Sequence, residues 1–380
     1  MRSLVVLGSS VTALAVVRNA HALGLAVALF DTRRDVAAYT RRAEVRIRES
    51  ASDEESLVAL GELAAAMPDC GLIATSDQWL RFLMRHRVDP TRRFRTILHP
   101  ANDALAVCLD KAEFSRWCEN HAVPSPKRYD AHDLAAGRVR AEFPVLLRPA
   151  WTSHNRDGSI PKAVEAGHED ELAAWLHRYR ESGVEPVVTE SLLHRGLDQL
   201  SVGAARSSGQ VMTFVARKVR PLPERCAVGS YVELYPDAEA ERIARHALDA
   251  LDYHGIAELE ILRSTATGGY YVIEINARPW IQYGLAMASG HDLLAFMQDP
   301  AQATASRRVV RGKRWIHFGS DLYTCFSRSE GLVSRGELSP WQYAMTLFKA
   351  NTFAVLDCAD PRPFLVDLKR TMALAIGRSS

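Results

Sequence analysis

One stretch of the chain reads Tyr-Val-Ile-Glu-Ile-Asn-Ala-Arg-Pro over residues 271–279. Side chains of a β-strand alternate between its two faces, so Glu274, Asn276 and Arg278 are predicted to share one face. The other face would carry the apolar residues of the stretch, namely Ile273, Ile275 and Ala277. A carboxylate and an amide oxygen two residues apart suit Mg²⁺, and an arginine beside them can hold a phosphate oxygen or a developing oxyanion. The stretch indicates nucleotide chemistry with bound magnesium; an edge strand with one solvated face is the alternative.

A second strand is predicted just upstream, over residues 255–262. Glu258 and Glu260 share one of its faces, and the turn residues Thr267 to Gly269 favour an antiparallel hairpin with the first stretch. Carboxylates gathered on neighbouring strands repel one another, so a cation is the expected occupant of the space between them.

Composition limits the classes of function. The chain has 380 residues, of which 47% are hydrophobic, and a formal net charge of +2, which predicts two to three domains and no general attraction to nucleic acid or anionic membrane. The six cysteines form no Cys-x-x-Cys pair, as is typical of a reduced, cytosolic protein. No apolar run is long enough for a transmembrane helix, and the first 31 residues are predicted to form strand, turn, helix and strand rather than a signal peptide.

The first hundred residues alternate apolar strands with helical stretches. The clearest strands are Leu4 to Leu7, Ala26 to Phe30 and Gly71 to Ala74, a pattern that predicts a parallel α/β sheet. The turn after the first strand lies where a dinucleotide-binding fingerprint would be, but Ser10 and Ala13 replace its second and third glycines. This turn is therefore predicted to pack a helix on a strand without binding NAD.

Basic residues end two further strand-like segments. Arg148 lies near the end of the strand Phe143 to Ala150, and the loop Trp151 to Ile160 that follows could offer backbone N–H groups to phosphate, or could be an ordinary hairpin loop. Lys218 and Arg220 end the strand that begins at Val211. Their spacing predicts that they share a face and hold an anion, with a solvated basic strand end as the alternative.

In order and spacing, these segments together resemble the ATP-grasp superfamily. The resemblance is closest to its carboxylate–amine ligase branch, which includes D-aspartate ligase-like enzymes and predicted ATP-dependent carboligases. It is most specific between Glu260 and Pro279 and extends from the first strand to the Asp-Pro-x-Pro sequence at residues 360–363. The resemblance implies an α/β fold of the α+β grasp type. A Rossmann-like pre-ATP-grasp domain would span 1–100, and a two-lobed ATP-grasp domain would span 101–300, with lobes of about 101–190 and 191–300. A helical C-terminal extension over 301–380 would pack against the lobes.

The resemblance also implies a metal site. Glu260, Glu274 and Asn276 match the residues that bind two Mg²⁺ ions between the ATP phosphates, and Glu258 is the alternative to Glu260. Arg278 would contact the transferring phosphoryl group or the tetrahedral intermediate.

Nucleotide contacts follow from the same resemblance. Arg148, Lys162 and Lys218 would contact phosphate, and Arg148 departs from the family, which usually has lysine there. Arginine keeps the positive charge and adds a planar fork. Adenine would lie at the strand Pro186 to Leu192, with Glu190 at its N6 side and Leu192 beside the ring. Asp198 would approach the ribose or start the next strand. Arg220 would face the substrate, and Lys111 would lie on a helix surface or at a domain contact.

The implied function is an ADP-forming carboxylate–amine ligase that makes an amide bond through an acyl phosphate, with ATP and Mg²⁺. Its expected partners are a small carboxylate and a small amine, such as amino acids or a short peptide, and neither nucleic acid nor membrane. A cytoplasmic location is expected, and the oligomeric state is open, a homodimer included. Two alternatives remain: a non-catalytic ATP-binding regulator, suggested by Arg148, and an NAD-dependent oxidoreductase built on the N-terminal turn.

Overall fold

A computed structural model describes residues 1–67, 69–86, 93–150, 160–193, 196–221, 229–327 and 331–375. The described residues form three β-sheets that follow one another along the chain, with five, four and seven strands. This mixed α/β architecture confirms the fold class expected from the sequence.

The first sheet is parallel, with the strand order β3-β2-β1-β4-β5. Its strands are β1 (Ser3–Leu7), β2 (Ala26–Asp31), β3 (Glu44–Ile47), β4 (Cys70–Ala74) and β5 (Thr96–Ile97). The helices of this region are α1 (Val11–Ala22), a short 3₁₀ helix (Val36–Tyr39), α2 (Asp53–Ala66), α3 (Asp77–Arg85), α4 (Asn102–Leu109) and α5 (Lys111–Asn120). The three strands expected from the sequence are confirmed, because apolar runs buried on both faces are typical of parallel sheets.

The turn after β1 is built for close packing. Gly8 has φ +110°, and a Cβ there would lie 2.4 Å from Thr75 Oγ1, so only glycine fits without strain. Ser9 Oγ donates a hydrogen bond of 2.7 Å to Asp31, and Trp79 Nε1 donates one of 3.2 Å to the same carboxylate. In a dinucleotide site, the acidic residue at this position binds a ribose hydroxyl; here Asp31 is engaged by the protein's own donors.

The second sheet is antiparallel, with the order β6-β9-β7-β8, and we call it the small lobe, residues 128–190. Its elements are β6 (Arg128–Tyr129), α6 (Ala131–Ala135), β7 (Val145–Pro149), β8 (Val164–Ala166), α7 (Glu169–Glu181) and β9 (Pro186–Glu190). Among the described residues, its hydrophobic core is formed by side chains of this lobe, from Tyr129 to Val188.

The third sheet has the order β14-β13-β10-β11-β12-β15-β16 and is antiparallel except for its last pair. Its strands are β10 (Leu197–Ser207), β11 (Gln210–Pro221), β12 (Gly229–Leu234), β13 (Gly255–Ser264), β14 (Tyr270–Asn276), β15 (Arg314–Ile316) and β16 (Thr352–Phe353). The helices are α8 (Ala238–Ala250), α9 (Tyr283–Ala288), α10 (Leu293–Gln298), α11 (Pro300–Ala305), α12 (Phe318–Phe326), α13 (Pro340–Lys349) and α14 (Arg362–Ala375).

Two hydrophobic cores join the first sheet to the third. One combines Leu72 and Trp79 of the N-terminal region with Leu259 and Ile275 of the third sheet. The other combines helix α1 with Phe214 and Trp280. The parallel sheet and the seven-stranded sheet are thus packed as one body, whereas the small lobe has a core of its own.

A β-bulge interrupts the pairing of β13 with β14. Val272 lies opposite Ile261, but the register then shifts, so that Glu274 lies opposite Glu260 and Ile273 is the extra residue. Val272 is fully buried, whereas Ile273 is only partly buried. Ile273, expected on the apolar face, is thus the inserted residue of the bulge, which simple alternation does not anticipate.

The C-terminal segment is not only helical, since β15 and β16 extend the seven-stranded sheet. It also contacts the N-terminal region: the buried Asp360 accepts a hydrogen bond of 2.6 Å from Thr40 Oγ1 and one of 3.2 Å from the Arg41 backbone N–H. The expectation that the tail packs on the grasp lobes was therefore incomplete. None of the helices in the described ranges combines the length and apolar character needed to cross a bilayer.

A buried ion pair holds helix α12 to β11. Asp321 is fully buried and receives hydrogen bonds from Arg220 Nε at 2.8 Å and Nη2 at 2.7 Å. Ser230 Oγ donates a third bond of 2.7 Å to the same carboxylate, and the guanidinium lies over the Tyr231 ring.

We expect Asp321→Ala to lower the free energy of unfolding by about 3–5 kcal/mol, because it leaves a buried guanidinium without its counter-charge. Urea denaturation measures the change. The control is Glu239→Ala, which breaks an exposed pair with Arg242 on one helix and should barely move the unfolding midpoint. A change in Asp321→Ala no larger than that of the control would contradict the structural role of the pair.

Candidate functional site

Strands β13 and β14 bring the acidic residues of both sequence motifs onto one face. Glu260 lies directly opposite Glu274, and Glu258 lies directly opposite Asn276. The prediction that the two stretches form neighbouring antiparallel strands is confirmed. Residues directly opposite on antiparallel strands have Cβ atoms about 5 Å apart, so these four side chains form one cluster, here called the acidic face.

Glu258 is the innermost member of the acidic face, with only 3% of its surface exposed. Its carboxylate accepts hydrogen bonds from Ser201 Oγ and from Asn276 Nδ2, the second at 3.1 Å. Burial and the negative charge of Glu260 raise the pKa of Glu258 to about 7. This carboxyl is therefore partly protonated near neutral pH.

Lys218 brings a positive charge to the acidic face. Its Nζ lies 3.1 Å from Glu260 Oε2, and its side chain is almost fully buried. Burial lowers the pKa of Lys218, but Glu260 and Glu258 outweigh that effect, so the pKa lies above its usual value. Lys218 therefore remains charged at neutral pH.

Glu274 is the member of the acidic face whose charge is least compensated. Among the described residues, its carboxylate accepts no hydrogen bond and forms no ion pair. Burial raises the pKa of Glu274, Lys111 and Arg148 oppose that rise, and the negative charges of Glu260 and Asp77 add to it. A cation bound here would relieve this repulsion.

A cavity of about 350 Å³ opens beside Glu274. It is lined by residues of α3, of the α4–α5 junction and of β14, including Asp77, Arg81, Arg85, Lys111, Glu274 and Asn276. Lys111, expected on a helix surface or at a domain contact rather than in a catalytic role, lines this cavity. The missed signal is its position as the first residue of α5, directly after the capping residue Asp110.

Arg278 lies next to the acidic face, just after the end of β14. Its Nε donates a hydrogen bond of 2.6 Å to Asp77 Oδ1, its Nη1 one of 3.2 Å to the Pro279 carbonyl, and its Nη2 one of 3.1 Å to Asn276 Oδ1. Burial lowers the pKa of Arg278, but Asp77, Glu258 and Glu274 together raise it above its usual value. Sequence reasoning missed Asp77, which lies about two hundred residues away along the chain.

Lys218 and Arg220 do not share a face, contrary to the sequence-based expectation. The register shifts between them, so that Lys218 lies opposite Val232 and Arg220 lies opposite Tyr231, with Val219 as the extra residue. Lys218 thus turns to Glu260, and Arg220 turns to Asp321. The Arg220 guanidinium, which was expected to hold a substrate anion, is instead paired with the carboxylate of Asp321.

Asp198 lies on the opposite face of the seven-stranded sheet. It is paired with Arg263, one of the odd-numbered residues of β13, whereas Glu258 and Glu260 point to the other side. Its carboxylate receives a hydrogen bond from Arg263 Nη2 and lies 3.7 Å from Arg217 Nη1. Asp198 was expected near the ribose or at the start of the next strand; it is the second residue of β10, and strand alternation turns it away from the acidic face.

The other residues that were expected to contact the nucleotide lie on or next to the small lobe. Arg148 is on β7 and close enough to influence the pKa of Glu274, and Lys162 is exposed just before β8. Glu190 ends β9 and accepts a hydrogen bond of 3.0 Å from the Lys127 backbone N–H, and Leu192 is buried beyond it. Residues 151–159 of the expected flap, and residues 222–228 of the loop after Pro221, lie outside the described residues.

The side chains of the acidic face are the candidate ligands for a metal ion. Within the described ranges, no group of three or more histidine, cysteine, aspartate or glutamate side chains is arranged to hold a metal ion. Mg²⁺ in nucleotide sites usually takes one or two carboxylates and completes its shell with water and substrate phosphates. Glu260, Glu274 and the amide oxygen of Asn276 are hard oxygen donors, so they fit an ion that arrives with a nucleotide rather than one held by protein alone.

The raised pKa of Glu258 predicts a pH-dependent stability. Between about pH 4.5 and pH 7 the folded protein keeps a proton that the unfolded chain releases, so the stability contributed by this group is lost as the pH rises through that range. The substitution Glu258→Gln replaces this carboxyl by an amide, which does not ionise. We expect its free energy of unfolding, relative to wild type, to increase by about 2–3 kcal/mol from pH 4.5 to pH 8.

Urea denaturation at both pH values, in EDTA, measures this difference. The control is Glu62→Gln, at an exposed carboxylate that pairs with Arg48 on the surface. A difference between Glu258→Gln and wild type that is the same at both pH values would contradict the prediction.

Comparison with known proteins gives a match only at the level of three-dimensional structure. No family model matches the sequence, and no curated protein matches it. An L-amino acid ligase from Bacillus licheniformis superposes with a TM-score of 0.61 at 15% identity, covering 82% of this chain and 78% of that chain. A biotin carboxylase from Campylobacter jejuni, solved as a β,γ-ATP complex, gives 0.61 at 17% identity, covering 81% and 73%.

An N5-carboxyaminoimidazole synthetase from Staphylococcus aureus, complexed with ADP, gives a TM-score of 0.60 at 15% identity, covering 82% of this chain and 79% of that chain. At such identities the likeness is one of fold. The order of the three sheets, the acidic face on two neighbouring strands and these superpositions lead to the same conclusion: the chain has the ATP-grasp fold.

Proposed function

We propose that this protein is an ATP-dependent ligase that joins a carboxylate to an amine and releases ADP and phosphate. One observation carries the proposal: Glu260 faces Glu274 and Glu258 faces Asn276 on adjacent strands, with Arg278 directly beside them. The structural neighbours supply the context, since their names include an L-amino acid ligase and two structures with adenine nucleotides bound.

Glu260, Glu274 and Asn276 are the residues proposed to hold magnesium. Glu258 is less suited, because it is nearly inaccessible and its carboxylate is engaged by Ser201 and Asn276. That contact takes the amide nitrogen of Asn276, whereas its oxygen accepts one bond from Arg278 and keeps a second lone pair for the cation. Bound magnesium would offset the negative charge of the polyphosphate and of the attacking carboxylate.

Positive side chains from three elements are proposed to bind the phosphates. Lys111 begins α5 and lines the cavity beside Glu274, Lys218 lies at Glu260, and Arg148 approaches from β7 of the small lobe. Lys162 is exposed near the same lobe, at the end of the undescribed flap segment. Because these cations surround the carboxylates without neutralising Glu274, the space between them suits a phosphate chain carrying its own cation.

The proposed reaction has two steps. A carboxylate oxygen of the acid attacks the γ-phosphorus of ATP, the bond to the β-bridging oxygen breaks, and an acyl phosphate and ADP result. The amine then attacks the acyl carbon, the bond to the phosphate oxygen breaks, and the amine proton leaves with phosphate or solvent. Arg278 is proposed to donate hydrogen bonds to the oxyanion that forms in this second step.

The first test resolves the products of ATP turnover with Mg²⁺ and a pool of amino acids and small carboxylic acids. We expect ADP and phosphate, formed only when the pool is present, and a loss of at least about 10²-fold in Glu274→Ala with little loss of fold. The matched control Glu239→Ala changes an exposed helix carboxylate and should keep full turnover. AMP and pyrophosphate would mean adenylation, and full turnover in Glu274→Ala would refute the metal assignment.

A binding measurement separates a ligase with an untested substrate from a protein that binds no nucleotide. The midpoint temperature of thermal denaturation, Tm, should rise when Mg²⁺ and ADP are added together and rise much less with Mg²⁺ alone. In Glu274→Gln we expect no rise with Mg²⁺ and ADP. Nucleotide binding without turnover over a broad substrate pool would favour the regulator instead.

Arg148→Lys should keep most of the turnover, because lysine preserves the positive charge near the end of β7. Arg148→Met should raise the KM for ATP by about 10-fold or more, since it removes the charge while keeping much of the side-chain volume. Steady-state kinetics over a range of ATP concentrations provides both values. Equal loss in the two variants would mean that Arg148 acts through its planar fork and not through its charge.

A further inference from the structure

Asp77 and Arg278 form a contact between two parts of the chain that are far apart in sequence. Asp77 lies in the first turn of α3, in the N-terminal region, and Arg278 follows β14 of the seven-stranded sheet. The distance of 2.6 Å between Arg278 Nε and Asp77 Oδ1 is typical of a strong, charge-assisted hydrogen bond. The N-terminal region thus contributes directly to the surroundings of the acidic face.

The donors of Arg278 can be counted. A guanidinium has five N–H donors in a rigid plane. Asp77 takes the one on Nε, the Pro279 carbonyl takes one on Nη1, and Asn276 Oδ1 takes one on Nη2. No other described residue takes the two that remain, one on each Nη. Because the group is planar, three fixed bonds also fix the direction of those two donors.

Asp77 is the strongest of the three restraints. The other two acceptors are a neutral carbonyl and a neutral amide, and both lie within two residues of Arg278, so they move with it. Asp77 carries a full charge and lies on a separate helix, which is anchored by the buried side chains Trp79, Leu80 and Phe82. Its carboxylate is also placed in the first helical turn, where the helix dipole favours negative charge.

The negative charge of Asp77 is unfavourable beside Glu274, and a residue with a purely structural role would not need that charge. Asp77 and Glu274 line the same cavity, so the two negative charges repel each other there. A neutral hydrogen-bond acceptor would hold the helix contact without that penalty. A charged acceptor is explained if the orientation of Arg278 is what this contact serves.

We propose that Asp77 is a positioning residue, which holds the Arg278 guanidinium so that its two remaining N–H donors meet the oxyanion of the reacting acyl group. The inference rests on the proposed ligase function. It assigns to the N-terminal region a part in the chemical step, through Arg278, and not only in packing.

The kinetic test compares Asp77→Asn, which keeps the size and one acceptor but removes the charge, with wild type. We expect kcat to fall on the order of 10- to 100-fold while the KM for ATP stays within about 2-fold, because misorientation affects the reacting centre and not nucleotide binding. Asp77→Glu restores the charge and should recover part of kcat. The matched control is Asp249→Asn, because Asp249 accepts from Arg206 Nε in the same way, at 2.9 Å, but belongs to helix α8.

A double-mutant cycle tests whether Asp77 acts through Arg278. In an Arg278→Lys background, Asp77→Asn should change kcat by less than about 2-fold, since the contact it weakens is already gone. An equal loss in both backgrounds, or a loss in Asp249→Asn as large as in Asp77→Asn, would overturn the proposal. Thermal denaturation of every variant shows whether a loss of kcat reflects a loss of fold.

A readout without turnover keeps the inference separate from the proposed function. In ¹⁵N-labelled protein, the Arg278 Nε–H signal is assigned by its absence in Arg278→Lys. We expect it to exchange slowly with water in wild type and rapidly in Asp77→Asn. Unchanged exchange in Asp77→Asn would refute the positioning role, whereas absence of ADP formation in wild type would refute the ligase function alone.

Discussion

The constraint on which the rest of this structure depends is the repulsion between carboxylates on one face of β13 and β14. Glu260 and Glu274 are directly opposite in register, an arrangement that destabilises a sheet when nothing offsets it. The fold surrounds them with positive charge from distant segments: Lys218 from β11, Lys111 from α5 and Arg148 from the small lobe. These segments are spread over residues 111–274, so the acidic face can be tolerated only once that part of the chain has folded around it.

The two kinds of core explain which of these charges are fixed. The parallel sheet and the seven-stranded sheet share two hydrophobic cores, and Asp360 and Asp77 add polar contacts between them. Lys111 is therefore held at a set position relative to Glu274. Arg148 belongs to the small lobe, whose core is its own. Among the described residues, no shared hydrophobic core therefore fixes the position of Arg148 relative to Glu274.

Much of the architecture could be predicted from the sequence, because the strands carry strong local signals. Apolar runs identified the parallel strands, and alternation with a Thr-Gly-Gly turn identified the hairpin of β13 and β14. Contacts between distant segments could not be predicted in this way. Asp77 and Lys111 resemble ordinary residues at helix starts, and only the packing of the N-terminal region against β14 brings them to the site. The face on which Asp198 lies could not be predicted either, since spacing along one strand does not reveal which face of the sheet carries the acidic residues.

Two single-residue bulges set the chemistry of the acidic face, and neither has a clear signal in the sequence. If the register between Val272 and Ile261 continued without a bulge, Glu274 would lie opposite Leu259 and point into the hydrophobic core. The extra residue, Ile273, allows Val272 to stay in the core while Glu274 joins Glu260 on the other face. The bulge at Val219 acts in the reverse sense on β11, since it leaves Lys218 at the acidic face and turns Arg220 toward Asp321.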